Sequence, residues 1–293
     1  MKRELSILLP THNNICLPLA ERLCQLAEKT DSLTWELIVA DDGSTDKQTL
    51  AANRAITSLP NARLIERPTN SGRAKIRNFL TQQSRYEWLL FIDSDMSVER
   101  DDFIRRYAES EGDVVNGGVE MGRNVSPQPN NLRYAYEMKA MPSHTTEERR
   151  RQPAAHFHTA NFLVSRSIML AHPFDERFKH YGYEDVLFGK ALGEAGINIC
   201  HIDNPVAFTD FESNFHFVEK SEEGLRTLHR FSTELEGFSG VLDTVKRLER
   251  WHLKPAARII GKPFAATLRR NLTGKRPNIA LFNPYKLIYY LQL

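Results

Sequence analysis

At 293 residues, with 41% hydrophobic and 26% charged side chains, the chain has the make-up of an ordinary water-soluble protein, long enough for one large α/β domain or two smaller ones. No stretch approaches the ~18 consecutive apolar residues of a bilayer-crossing helix, and the first apolar run, stopped by Pro10, is too short for a secretory leader. The net charge of +2 hides an asymmetry: from Val241 onward there are 11 Lys/Arg and 2 Asp/Glu (+9), against 28 and 35 (−7) before it. A basic tail on a mildly acidic body predicts that the tail meets something anionic.

In chain order, Leu5–Leu9 reads as a short buried strand cut by Pro10, and the apolar positions Ile15, Leu19, Leu23 and Leu26 as one stripe of a helix over 15–29. A strand over Trp35–Ala40 runs into Asp41-Asp42-Gly43-Ser44-Thr45-Asp46, loop chemistry that hands over to a helix near Lys47. A strand over 62–65, a helix over 73–82, a strand over 87–92, a helix over 101–109 and a strand from Val114 follow. Strands alternating with helices predict βαβ units and a parallel sheet covered on both faces. From Asn124 to Gln152 the pattern is irregular and ends in the charge run Glu147–Arg151; it reads as a mobile connection holding one helical piece at 132–141. A strand over 154–165 would then carry His156 and His158 on one face, before a helix over 184–195 and a strand over 197–202. Cys16, Cys24 and Cys200 form no Cys-x-x-Cys pair and read as buried, reduced thiols.

The chemistry gathers where strands end. The apolar run Trp88–Ile92 stops at Asp93-Ser94-Asp95, two carboxylates that repel unless a cation or donors stand between them. Pro10-Thr11-His12-Asn13, Asp41–Ser44 and Asn70-Ser71-Gly72-Arg73 with Arg77 sit at equivalent places. In a parallel sheet these loops share the carboxyl edge, where ligands of open α/β sheets bind. Arginines favour phosphates and paired carboxylates favour hard divalent cations, a set suited to a nucleotide diphosphate with Mn²⁺ or Mg²⁺. Each element has a plainer reading: Asp41–Ser44 as a turn with a helix cap, Arg73 and Arg77 as a solvated helix face, Glu184-Asp185 as acids at a helix start.

Together the segments 6–13 (SILLPTHN), 37–46 (LIVADDGSTD), 70–78 (NSGRAKIRN), 89–95 (LLFIDSD) and 181–185 (YGYED) resemble the family-2 glycosyltransferases of GT-A fold, in order and spacing, over roughly residues 4–220. The resemblance implies a Rossmann-like, mostly parallel sheet with helices on both faces over residues 1–235, a nucleotide-sugar half at 1–115, an acceptor half at 116–235, and a basic helical extension at 236–293. It implies inverting transfer from a nucleotide-diphosphate sugar, expected to be UDP-linked, to a saccharide or lipid-linked acceptor. Pro10, Thr11 and His12 would border the base and Asp41, with Asp42 beside it, would accept from its edge. Arg73 and Arg77 would reach base or diphosphate, Asp93 and Ser94 the ribose, and Asp95 the metal. Asp185 would be the general base, with Glu184 beside it. The chain departs from the family where a histidine after the last strand completes the metal site: Phe208 stands there, and His216 is the substitute considered. The basic tail, where Lys246, Arg250, Lys254, Arg258 and Lys262 recur every four residues among Trp251, Leu253, Ile259, Ile260 and Phe264, fits a membrane surface or a solvated helical subdomain, with no nucleic-acid module beside it. The expected location is cytoplasmic, peripheral on the inner face of the membrane. A nucleotidyltransferase would need a Gly-rich turn after the first strand, which Pro10-Thr11-His12-Asn13 lacks; a non-catalytic sugar-nucleotide binder stays open.

Overall fold

The computed structural model describes all 293 residues, and the chain divides into two compact units. The first comprises Met1–Asn124, Pro142–Lys179 and Glu184–Thr209; the second comprises Val125–Met141, His180–Tyr183 and Asp210–Leu293. The expected boundary at 235 therefore falls inside the second unit.

The first unit is built on strands β1 (Glu4–Thr11), β2 (Thr34–Asp41), β3 (Ala62–Glu66), β4 (Trp88–Ile92), β5 (Val114–Asn116), β6 (Val119–Met121), β7 (Asn161–Ser165), β8 (Ile199–His201) and β9 (Val206–Phe208). Seven form one sheet in the order β3-β2-β1-β4-β7-β5-β8, and β6 pairs with β9 in a small second ladder. β1, β2, β3 and β4 are mutually parallel, as is β5 with β8, whereas β7 runs antiparallel between β4 and β5. The helices of this unit are α1 (Leu17–Glu28), α2 (Lys47–Asn53), α3 (Arg73–Gln83) and α4 (Phe103–Glu109).

Strand alternation sorts the core. Leu5, Ile7 and Leu9 of β1, Leu37 and Val39 of β2 and Leu90 of β4 join Leu19, Leu23 and Leu26 of α1 and Phe103, Ile104 and Tyr107 of α4. The opposite parity carries an aromatic stack, in which Phe91 of β4 lies on Phe162 of β7 at 4.9 Å between ring centroids. Pro10 does not cut β1, which continues to Thr11: β4 pairs with β1 only from Leu5 to Leu8, so that side of the strand is open where proline lacks its N–H.

Two expectations are corrected in the middle of the chain. The second unit takes up α5 (Leu132–Ala140), while the run 146–151 is not part of a mobile connection but a helix, α6 (Thr146–Arg151), capped by Thr145. Its Arg149 is 2% exposed and makes no ion pair. Nε donates to the His144 carbonyl (3.0 Å), Nη1 to the Asn116 carbonyl (3.1 Å), and Nη2 to the Gly117 (3.2 Å) and Ile202 (2.9 Å) carbonyls. Sequence pattern sees five charges and predicts solvent; carbonyls at the ends of β5 and β8, which have a second lone pair to offer, supply the opposing dipoles. Gly118, at φ +87°, leaves the room, since a Cβ there would lie 2.6 Å from Arg149 Nη2. Likewise His156 and His158 precede β7 in a turn rather than lying in a strand, and β7 spans only 161–165. Helices α7 (Arg166–Ala171) and α8 (Glu184–Glu194) complete this unit.

The second unit is helical, adding α9 (Asn214–Arg230), α10 (Gly240–Arg250), α11 (Lys254–Gly261), α12 (Ala265–Leu272) and α13 (Phe282–Gln292). Leu132, Phe217, Val218, Leu272, Phe282 and Tyr285 form its core. At its centre the buried Glu222 accepts from Arg269 Nε at 2.7 Å and from the Tyr285 hydroxyl. No helix of the chain is long and apolar enough to cross a membrane.

Two histidines, the buried His201 and the half-buried His144, couple the first unit to pH. Arg149 Nη1 donates to His201 Nδ1 (2.8 Å), and His201 Nε2–H donates to the Pro153 carbonyl (3.0 Å), a neutral arrangement. Burial pushes both His144 and His201 down from 6.5 to about 4. Below 6.5 the unfolded chain binds protons that the folded one refuses, so this contribution to stability is complete above pH 6.5 and is lost as pH falls through about 4. Urea titrations across that window should show stability falling with a slope approaching two protons, and His201→Gln should remove about half of it; a midpoint flat from pH 7 to 4.5 would refute the assignment.

Candidate active site

The loops that follow β1, β2, β3 and β4, together with the start of α8, are joined by one polar network within the first unit. After β1, His12 Nδ1–H donates to the Asp42 carbonyl (3.1 Å) and Nε2 accepts from the Asn13 amide (3.1 Å). Asn13 adopts φ +49°, and its Oδ1 accepts the Thr45 N–H at 2.8 Å and the Asp46 N–H at 3.1 Å. Asn14 reaches across to the loop after β4, donating to the Ser94 carbonyl at 2.7 Å. Thr11 is buried, its hydroxyl donating to the Asn14 carbonyl, and Pro10 is half-buried beside it.

Asp41 and Asp42 end β2 with different fates. Asp42 is buried and saturated: Oδ1 accepts from Arg67 (2.7 Å) and the Ser71 hydroxyl (2.8 Å), Oδ2 from the N–H groups of Ser71 (2.9 Å) and Gly72 (3.0 Å). It is a clamp on the loop after β3, with no acceptor left for a ligand. Asp41 uses Oδ1 for the Ser44 N–H (2.7 Å), while its buried Oδ2 has no protein donor. A buried acceptor without a donor is costly, and a ligand N–H would relieve it. Gly43 (φ +73°) lets the turn form, because a Cβ there would lie 2.5 Å from the Thr69 carbonyl carbon.

Arg77, one turn into α3, is 1% exposed. Its Nη2 donates to Asp93 Oδ1 at 2.6 Å and Nη1 lies 3.7 Å from Glu184 Oε1. Arg73, half-exposed on the turn before, lies 4.0 Å from the same carboxylate oxygen. The guanidinium thus bridges the β4 loop and the start of α8, and the reading of Arg77 as a solvated face is excluded by its burial. Ser94 is half-buried and Asp95 is exposed on the same loop.

Glu184 and Asp185 begin α8, where its N-terminal dipole favours anions. Burial, then the charge of Asp185, push Glu184 upward against the pull of Arg73 and Arg77. Burial acts on Asp185 in the same sense, but the His158 ring, with Nδ1 4.0 Å from Asp185 Oδ2, and the Val186 N–H at 2.8 Å outweigh it and hold Asp185 below the usual carboxylate range. His144 packs on His158 at 5.3 Å between ring centroids.

His216 belongs to the second unit, exposed in the first turn of α9, with Nε2 3.7 Å from Glu212 Oε2. No three His, Cys, Asp or Glu side chains converge to form a metal cage. Arg67 and Asn14 act through loop contacts that no local pattern encodes, and His158, expected on a strand face, instead lies beside Asp185.

The polar network lies where parallel strands of the sheet end, the edge at which ligands of open α/β sheets bind. The chain belongs to glycosyl transferase family 2, whose profile matches residues 6–171. It is 33% identical over 97 residues to an uncharacterized glycosyltransferase of Haemophilus influenzae (33% of this chain, 38% of that one) and 31% identical over 129 residues to the poly(ribitol-phosphate) beta-glucosyltransferase of Bacillus spizizenii (42% and 20%). The matched stretches thus cover well under half of these relatives. Among solved structures it resembles the mannosyltransferase PcManGT from Pyrobaculum calidifontis, in complex with GDP-Man and Mn²⁺ (TM-score 0.54, 15% identity, 100% of this chain and 86% of that one). It also resembles glucosyl-3-phosphoglycerate synthase from Mycobacterium tuberculosis, in complex with Mn²⁺, UDP and glucosyl-3-phosphoglycerate (TM-score 0.51, 21% identity, 78% of this chain and 80% of that one). These likenesses fix the fold.

Removing Arg77 isolates a buried acid. Arg77→Met should cost roughly 3–5 kcal/mol in urea unfolding, and Glu184→Gln in that background should recover part of the loss. Strictly additive costs would mean the two side chains do not interact.

Proposed function

We propose that the chain is an inverting glycosyltransferase that uses a nucleotide-diphosphate sugar, with UDP as the nucleotide, and delivers the sugar to a saccharide or lipid-linked saccharide at the cytoplasmic face of a membrane, in polysaccharide assembly. The observation that carries this reading is that the loop holding Asp41 is tied through Ser44, Asn13 and Asn14 to the loop of Asp93, whose partner Arg77 also faces Glu184, the neighbour of Asp185, all where parallel strands end. Asp41 Oδ2 accepts the base's imide N–H, with His12, Pro10 and Thr11 bordering the ring. Asp93 and Ser94 face the ribose. Arg73, half-exposed, is the arginine able to turn toward the diphosphate, whereas Arg77 stays committed to Asp93 and Glu184 and Asp42 to its loop.

Asp185 takes the proton from the acceptor hydroxyl as that oxygen attacks the anomeric carbon and the diphosphate departs from the opposite face. A base must be ionised before the reaction, and a carboxylate held below its usual range meets that condition at neutral pH. Glu184, pushed upward and enclosed by arginines, positions α8 and serves no proton transfer. The exposed oxygen donor Asp95, beside diphosphate oxygens and water, fits a hard cation that keeps most of its ligands from outside the protein. Bound there, Mn²⁺ or Mg²⁺ would stabilise the negative charge that develops on the leaving diphosphate.

Asp185→Asn should lower kcat by roughly 10²–10⁴-fold while calorimetry shows UDP affinity within about threefold of the native value. Surviving transfer removes Asp185 from the base role. Chelation should stop transfer and Mn²⁺ restore it. Metal-independent UDP binding with no release of nucleotide from any of a panel of activated sugars would instead identify a sugar-nucleotide binder.

A further inference from the structure

Of the eleven large hydrophobic side chains exposed in the whole chain, five lie within residues 251–264: Trp251 (71% exposed), Leu253 (52%), Ile259 (73%), Ile260 (66%) and Phe264 (56%). They belong to one short edge of the second unit, made of the turn after α10, helix α11 and the turn after it. This edge is not loosely attached. Gly261 is buried so close to α13 that a Cβ would lie 2.9 Å from Ile288, and the Gln292 side chain donates to the Arg258 carbonyl at 3.1 Å. The face of α11 that packs is therefore satisfied, and Ile259 and Ile260 point elsewhere. Folding leaves them in water, at a cost that only a missing partner offsets.

Charge selects the partner. No Asp or Glu follows Glu249, while Arg250, Lys254, Arg258, Lys262, Arg269, Arg270, Lys275, Arg276 and Lys286 do. Lys254 pairs with Glu249 at 2.6 Å and Arg269 with Glu222 at 2.7 Å, but Arg250, Arg258, Lys262, Arg270, Lys275 and Arg276 make no ion pair. A second copy would bring like charge against like. Nucleic acid would leave the isoleucines and the indole unburied. We infer that residues 251–264 are a membrane-docking edge: Trp251, Leu253, Ile259, Ile260 and Phe264 enter the headgroup and upper acyl region of an anionic leaflet, and Arg250, Arg258 and Lys262 bind its phosphates. Long cationic side chains suit this geometry, since their alkyl stems lie along apolar surface while their heads reach the phosphates. The inference rests on exposure and charge alone and stands apart from the transferase reading.

The test is vesicle partitioning of the full chain, with no sugar present. Neutral phosphatidylcholine vesicles are compared with ones in which about one third is phosphatidylglycerol. Affinity for the anionic vesicles should exceed that for the neutral ones at least tenfold and fall steeply when salt is raised to about 0.5 M. Trp35 and Trp88 are buried or half-buried, so the emission shift to the blue on binding belongs to Trp251; Trp251→Phe should abolish the shift and keep the binding. Replacing Ile259 and Ile260 together by Asp should cut partitioning at least tenfold with circular dichroism unchanged. Leu170→Asp, an equivalent change at a 50% exposed site on α7, should leave it unaltered. Equal binding to both vesicles, full binding by the double variant, or a concentration-dependent dimer that the double variant abolishes without any vesicle binding would each overturn the assignment.

Discussion

A cation without water around it organises the candidate site. Arg77 is almost wholly enclosed, and where Arg149 is answered by backbone carbonyls, this guanidinium is answered by carboxylates. Asp93, from the loop after β4, and Glu184, from the start of α8, are separated by 91 positions in the sequence and are brought to the same side chain. The requirement that Arg77 be neutralised therefore fixes where α8 begins relative to β4. The two adjacent acids nevertheless titrate in opposite senses. Glu184 pays the cost of burial and of its neighbour's charge, while Asp185 looks toward His158 and the Val186 N–H. Pairs of carboxylates whose surroundings push them apart are how one site separates a positioning group from a proton acceptor.

Asp41 and Asp42 repeat the lesson at the other side of the edge. Adjacent residues at the end of one strand present opposite faces, so one carboxylate meets the loop after β3 and the other does not. The four bonds to Asp42 hold that loop, and through it the start of α3 and so Arg77. A ligand contacting Asp41 would therefore meet a surface already rigid before it arrives, which lowers the ordering cost of binding.

Much of this was legible in the sequence because local rules agreed with the fold. The strands up to 116 and helices α1 to α4 follow from apolar runs and stripes ended by Gly, Asp and Asn, and the family pattern brought Asp41, Arg77, Asp93 and Asp185 to notice. Where reading failed, long-range pairing overruled local pattern. A run of charges at 147–151 reads as solvated, yet carbonyls at 116, 117 and 202 turn Arg149 inward. A strand long enough to hold His156 and His158 reads well by alternation, but β7 has partners only opposite 88–92 and 114–116, so it shortens to the pairing available. Which of two neighbouring aspartates is spent on a loop depends on partners some thirty residues away and leaves no mark in the motif.

The second unit turns an expectation about solubility around. Its interior is stabilised by a charged group, Glu222, held by Arg269 and the Tyr285 hydroxyl, while isoleucine, tryptophan and phenylalanine remain outside on α11 and its flanking turns. Sequence pattern alone could not separate these cases, since a basic stripe with interleaved apolar residues reads the same whether those residues face a core or a solvent. The discriminating fact is Gly261: as the only residue of α11 that is fully buried, it lets the helix backbone approach Ile288 closely, so the packed face needs no large side chain and the large ones are displaced outward. A helix whose contact to the body is made through glycine has its hydrophobic side chains free for another purpose.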